Sequence, residues 1–219
     1  MMNQTFKIVV FDMDGTLLKE RTIFVFAEKK GFIDDLLSII NDNQKKSYEK
    51  SIKIAKLLKG MDSRDLLSLF RKISLQDYVE HVIKKLKDFD IKTAIATNSY
   101  RFFANDLKNR LGIDYLFAND LVIRDNIITG ELIIHNKYLN LKYDSCKQHS
   151  ICKSHVLDYL CKKLKINPDE IIAVGDSEID ICMLKKAGIG IAFKAPENVQ
   201  QNAYTSTDDL RSVLEYIRI

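Results

Sequence analysis

The chain has 219 residues, of which 46% are hydrophobic and 29% charged, which suits a globular fold of one domain with a small accessory domain. Its formal net charge of +4 arises from lysines and acids that are interspersed, so no basic stripe marks a nucleic-acid surface. No apolar run approaches the roughly 20 residues of a membrane-spanning helix, and no internal repeat or low-complexity segment is present.

The first strand begins almost at once, which leaves no room for a signal peptide, so the chain is expected in the cytoplasm. Cys146, Cys152, Cys161 and Cys182 form no C-x-x-C pair, and free thiols are expected there, with a Cys146–Cys152 disulfide as the alternative.

Ile8 to Phe11 is a continuous apolar run rich in β-branched residues and reads as a strand buried on both faces, as in a parallel sheet. It stops at Asp12, Asp14 follows, and Gly15 supplies a turn. Two carboxylates at the carboxyl end of a buried strand are costly unless compensated. A divalent cation would neutralise them, and an ionised Asp beside a metal can attack phosphorus. From Leu18 to about Lys72 the periodicity is helical. One helix carries Ile23, Phe24, Phe26 and Ala27 and ends at Gly31, and a second holds Phe32, Leu36, Leu37, Ile39 and Ile40. A third runs from about Tyr48, and a fourth is capped by Asp62. A helical insert directly after such a strand reads as a cap.

Leu75 to Phe89 reads as a further helix with Tyr78, Val82, Ile83 and Leu86 on one face. Ile91 to Ala96 is a second buried strand, ending in Thr97-Asn98-Ser99, and the helix bearing Leu107 and Leu111 stops at Gly112. Tyr115 to Arg124 and Ile127 to Ile134 flank Asp125-Asn126 and predict a β-hairpin. The stretch from His135 to Ser150 is polar and irregular. Ile151 to Leu164 reads as a helix with Lys153 in its first turn, followed by a strand over Ile171 to Val174. Gly175 to Asp180 opens a helix closed by Ala187-Gly188, Ile189 to Phe193 is another strand, and Asp208 to Ile217 an amphipathic helix. Strands alternating with helices imply an α/β fold with a parallel sheet covered on both faces.

Four polar clusters thus fall at strand ends or a helix start: Asp12/Asp14, Thr97/Asn98/Ser99, Lys153, and Asp176/Asp180. In a parallel sheet these positions share one edge, where ligands bind. Asp12, Asp14 and Asp176 are hard oxygen ligands of the kind magnesium prefers. Thr97 and the N–H groups after it are donors for a phosphoryl oxygen, and Lys153 can balance the carboxylates and hold phosphate. Asp180, one helical turn after Asp176, can hold a metal-bound water or orient Lys153.

These motifs, Asp12-Met-Asp14-Gly-Thr16, Thr97-Asn-Ser-Tyr, Lys153 and Val174-Gly-Asp176-Ser-Glu-Ile-Asp180, resemble over nearly the whole chain the phosphoserine-phosphatase-like branch of the haloacid dehalogenase superfamily. The resemblance implies a Rossmann-like core over 1–17 and 73–219 and a small helical cap of the C1 type over 18–72. It implies Mg²⁺-dependent phosphomonoester hydrolysis through an aspartyl-phosphate. Asp12 would be nucleophile, Asp14 general acid/base, Thr97, Asn98 and Lys153 phosphate ligands, and Asp12, the Asp14 carbonyl and Asp176 the metal ligands.

The branch places a Glu, facing the substrate ammonium, where this chain has Arg21, and a cap Arg where it has Ala55. Ile179 replaces a usual Asn. Arg21 is therefore expected at the active-site opening, beside a small phosphorylated metabolite whose leaving group carries negative charge. A phosphoserine phosphatase proper, a phosphotransferase and a catalytically silent binding protein are the alternatives.

Overall fold

Ile8–Phe11 forms β1, and all four of its side chains are buried. The structure is a computed structural model and describes residues 6–136 and 148–217. After β1 come four helices, α1 (Thr22–Lys30), α2 (Ile33–Ile40), α3 (Ser47–Leu57) and α4 (Ser63–Phe70). They are followed by α5 (Val79–Asp88), β2 (Lys92–Tyr100), α6 (Arg101–Leu111), β3 (Tyr115–Arg124) and β4 (Ile127–Ile133). The last third alternates through α7 (Lys153–Leu164), β5 (Ile171–Gly175), α8 (Ile181–Leu184), β6 (Ile189–Phe193), α9 (Glu197–Gln200) and β7 (Thr205–Thr207).

The seven strands make one sheet in the order β4-β3-β2-β1-β5-β6-β7. Every neighbouring pair is parallel except the β3–β4 hairpin, as the α/β reading expects. β1 is central, with Phe11 level with Ile95 of β2 and Val174 of β5. Its side chains alternate between two cores because successive residues of a strand face opposite ways. Val9 and Phe11 pack with the insert and α5, whereas Ile8 and Val10 pack with Val156, Leu157 and Leu160 of α7 and Met183 and Leu184 of α8.

Aromatic packing and the β3–β4 hairpin both hold the helical insert on the core. Phe26 of α1 and Phe70 of α4 meet Phe103 of α6 at ring-centroid distances of 5.0 and 5.7 Å, all three fully buried. Such pairs contribute about 0.5–1.5 kcal/mol each beyond their burial. The hairpin adds backbone bonds, from Gly60 N–H to the Ile128 carbonyl, from Ile128 N–H to the Met61 carbonyl and from Ser63 N–H to the Asn126 carbonyl. Asp125 and Asn126 both have positive φ, 50° and 66°, as a two-residue hairpin turn requires.

Several expectations need correction. Strand β2 does not stop at Ala96 but runs on to Tyr100, with its pairing to β3 interrupted between those residues. The helix expected from Leu75 begins at Val79, because Leu75 pairs with Leu18, Gln76 N–H bonds the Leu17 carbonyl, and Tyr78 takes the left-handed conformation. Tyr78 is exposed rather than inward, with the Arg211 guanidinium 3.9 Å from its ring centroid. Leu37 of α2 is likewise exposed.

The final segment, Leu210–Tyr216, is a 3₁₀ helix, not an α-helix, and Leu210 and Val213 are buried at the three-residue spacing of that geometry. Helix α7 starts at Lys153 rather than Ile151, and a 3₁₀ turn over Glu178–Asp180 precedes the short α8. The short β7 and α9 carried too few residues for a periodic signal. Most of the irregular stretch after His135, with Cys146 and its possible disulfide, lies outside the described residues.

Candidate active site

β1 lies between β2 and β5, so the residues that follow these three strands at one edge converge. Asp12 follows β1, Thr97 to Ser99 lie in the terminal part of β2, and Asp176 follows β5. Lys153 opens α7 beneath them. With Asp14 and Arg21 they line a cavity of about 650 Å³ between the sheet edge and the insert. Every residue of the four polar clusters lines it except Asp180, which is fully buried.

Lys153, 2% exposed, donates hydrogen bonds to Oδ1 of Asp12 and Oδ1 of Asp180. Burial disfavours its charge, but the two carboxylates outweigh burial and hold its pKa above the ordinary value. Asp180 is fully buried, and its Oδ2 accepts from Asp176 N–H, Ser177 N–H and the Ser177 hydroxyl. Both its oxygens are therefore engaged. Of the two roles considered for Asp180, the geometry fits orientation of Lys153.

Asp12, Asp176 and Asp180 bring carboxylate oxygens within 4.8 Å of one another. Burial raises the pKa of Asp12 and of Asp176, and their neighbouring carboxylates add to the rise, with Lys153 and, at Asp176, Arg21 opposing it. One buried ammonium thus faces three buried or half-buried carboxylates. With Asp180 saturated, Asp12 and Asp176 are the pair whose charge a hard divalent cation would offset, and their all-oxygen donor set fits one.

Gly15 makes this close approach feasible. It has φ +93°, and a Cβ there would lie 2.5 Å from Oδ2 of Asp176. Thr16 donates its hydroxyl to the other Asp176 oxygen at 3.2 Å.

The Asp14 side chain turns to the start of α1, where its Oδ1 accepts from the Thr22 N–H at 2.9 Å and from the Thr22 hydroxyl. It so takes the capping role that the preceding Arg21 lacks. Burial raises its pKa, and the Thr22 bonds oppose the rise. Arg21 does reach the cavity, with its guanidinium 3.5 Å from Oδ2 of Asp176.

Thr97 is buried, and its hydroxyl oxygen accepts from Ser99 N–H at 3.0 Å. Asn98 is held on two sides, its carbonyl accepting from Asn119 Nδ2 and its Oδ1 from Ile151 N–H. Its Nδ2 is buried and, among the described residues, without a partner, and Asn98 is one of the residues that line the cavity.

The cavity also has a wall that sequence reasoning missed. Ser47, Lys50, Ser51 and Ile54 of α3 line it, whereas Ala55 is buried in the core and Lys53 and Lys56 are exposed elsewhere. The spacing 47, 50, 51, 54 is one helical face, a signal present in the sequence. Which face turns to the site is set by the hairpin contacts and by the bond from Tyr48 N–H to the Gln148 carbonyl.

A family model for haloacid dehalogenase-like hydrolases matches residues 6–188. The phosphoserine phosphatase of Methanocaldococcus jannaschii is 30% identical over 217 residues, 97% of this chain and 98% of that protein. A solved phospho-aspartyl intermediate analogue of phosphoserine phosphatase superposes with a TM-score of 0.82 at 29% identity, over 98% of this chain and 100% of the other. A HAD family hydrolase from Salmonella enterica subsp. enterica serovar Typhi has a TM-score of 0.86 at 26% identity, over 98% and 72% of the two chains. With its strand-end carboxylates and buried lysine in the order of the four motifs, the chain belongs to the haloacid dehalogenase-like hydrolases, in their phosphoserine-phosphatase-like branch.

Proposed function

We propose that the chain hydrolyses phosphate monoesters of small metabolites through a phosphoryl group carried on Asp12, with residues 18–72 as a cap over a core of 1–17 and 73–219. The observation that carries this reading is the buried Lys153 bridging Asp12 and Asp180 on the cavity floor, beside Asp176. Asp12, the Asp14 backbone carbonyl and Asp176 would hold Mg²⁺, which supplies neutralising charge for the carboxylates and the phosphoryl oxygens.

The chain's own residues do the rest. An Asp12 carboxylate oxygen attacks phosphorus, and the bond from phosphorus to the ester oxygen breaks. Asp14 gives its proton to the departing oxygen, and its burial-raised pKa favours the protonated form that this requires. Lys153, the Thr97 hydroxyl and Asn98 hold phosphoryl oxygens, with Lys153 locked in place by its second carboxylate. In the second half Asp14 takes a proton from a water that attacks phosphorus, and the Asp12–phosphorus bond breaks. The similar structure of a phospho-aspartyl analogue supports the covalent step.

Hydrolysis of p-nitrophenyl phosphate in magnesium buffer tests the reading. Wild-type chain should turn over, and Asp12→Asn should fold normally and fall by at least about 10³-fold, because an amide cannot attack as an anion. Substantial turnover by Asp12→Asn removes Asp12 from the nucleophile's role.

A further inference from the structure

The half of the cavity contributed by the insert contains no acid. Its cations are Arg21, at the start of α1, and Lys50, on α3. Lys50 donates to the Ile40 carbonyl and, among the described residues, forms no ion pair with a carboxylate. An ammonium has three donors, so two remain for a ligand. Among the described residues Arg21 pairs with Asp176 alone, at a long 3.5 Å, and its side chain is 54% exposed. The apolar part of the same half is formed by Ile23, Phe24, Ile40 and Ile54. Among the described residues, beyond Asp12, Asp14 and Asp176, the one further acid on the cavity is Glu178. It is exposed on the core side and accepts a bond from Asn198 Nδ2.

We infer that the substrate is the phosphate monoester of an amine-free hydroxy acid, whose carboxylate is received by Lys50 and Arg21 and whose hydrocarbon segment lies on the Ile23, Phe24, Ile40 and Ile54 wall. This rests on the phosphatase reading above and adds the identity of the leaving group. Two cations around an apolar surface favour a second anion and give a substrate ammonium no anionic partner on that side. An ammonium placed there is desolvated beside like charge, which rejects amine-bearing esters as a class. The Ser47 and Ser51 hydroxyls on the same face of α3 extend the polar rim that a carboxylate meets.

Non-hydrolysable phosphonates test this by calorimetry, with no dependence on turnover. The probes are 4-phosphonobutanoate, its 2-amino derivative, and butylphosphonate, each titrated into the full chain in magnesium buffer. The carboxylate should tighten binding roughly tenfold to a hundredfold over butylphosphonate, the worth of one charge-assisted contact. The amine should weaken binding about tenfold or more relative to 4-phosphonobutanoate. Lys50→Met and Arg21→Gln should each weaken 4-phosphonobutanoate more than butylphosphonate.

Equal or tighter binding of the amino derivative overturns the inference, and points to Glu178 as the amine's partner. Equal binding of butylphosphonate overturns it as well. Wild-type turnover of p-nitrophenyl phosphate is scored separately, so that failure of the phosphatase reading is told apart from failure of the leaving-group assignment.

Discussion

Replacing Asp180 by Asn isolates the contact that aims Lys153. The change is nearly isosteric at a fully buried site, so no cavity forms. The amide oxygen can occupy the Oδ2 position and keep the donors from Asp176 N–H, Ser177 N–H and the Ser177 hydroxyl. The amide nitrogen then faces Lys153 Nζ, donor against donor, where a carboxylate had accepted. Water cannot replace the lost acceptor, because Lys153 is 2% exposed. Breaking one arm of such a buried pair costs about 3 kcal/mol, the low end of the usual range, since Asp12 still faces the ammonium.

For a chain of this size the loss lowers the melting temperature by roughly 6–12 °C. Lys153 also loses one of two anchors, so kcat should drop about tenfold or more through misplacement of the ammonium. Ser177→Ala, which removes only the 2.9 Å hydroxyl donor, should cost about 1 kcal/mol. Thermal melts and p-nitrophenyl phosphate kinetics on both variants are the assay. A melting shift below about 2 °C with unchanged kcat in Asp180→Asn would refute the argument that Asp180 positions Lys153.

Two further outcomes follow from the same geometry. Magnesium titrated calorimetrically should bind the wild type and bind Asp176→Asn at least about tenfold more weakly, since one of the two carboxylates proposed to hold it is gone; undiminished affinity would remove Asp176 from the metal site. Thr22→Val removes a hydroxyl bond that stabilises the ionised Asp14, so the Asp14 pKa should rise further above its ordinary value. Asp14 then stays protonated to higher pH as a proton donor, and the alkaline limb of kcat/KM for an alkyl phosphate should move upward, whereas a null or downward shift would take the acid role from Asp14.

The clustering of the site residues was legible because each of them is marked locally in the sequence. Asp12, Thr97 and Asp176 each stand directly after a run of β-branched or small apolar residues, and the rules of parallel sheets bring strand ends together. The hairpin turn at Asp125-Asn126 was legible for the same reason, since two adjacent residues decide it. What the chain order could not supply were the choices between equivalent faces and partners. By spacing alone Asp180 serves a metal-bound water or Lys153 equally well, and only the packed loop shows both its oxygens taken. Tyr78 fits a helical face, but the bridge between Leu75 and Leu18 stops the helix short of it. Lys50, Lys53 and Lys56 are alike as residues of an amphipathic helix. Lys50 alone of the three faces the cavity because α3 and the turn after it are pinned by the hairpin more than 60 residues later and by the Gln148 carbonyl, contacts that exist only after long-range closure. The strand-end motifs are thus short and local, while the wall that α3 gives the cavity was decided by how the insert is held against the sheet.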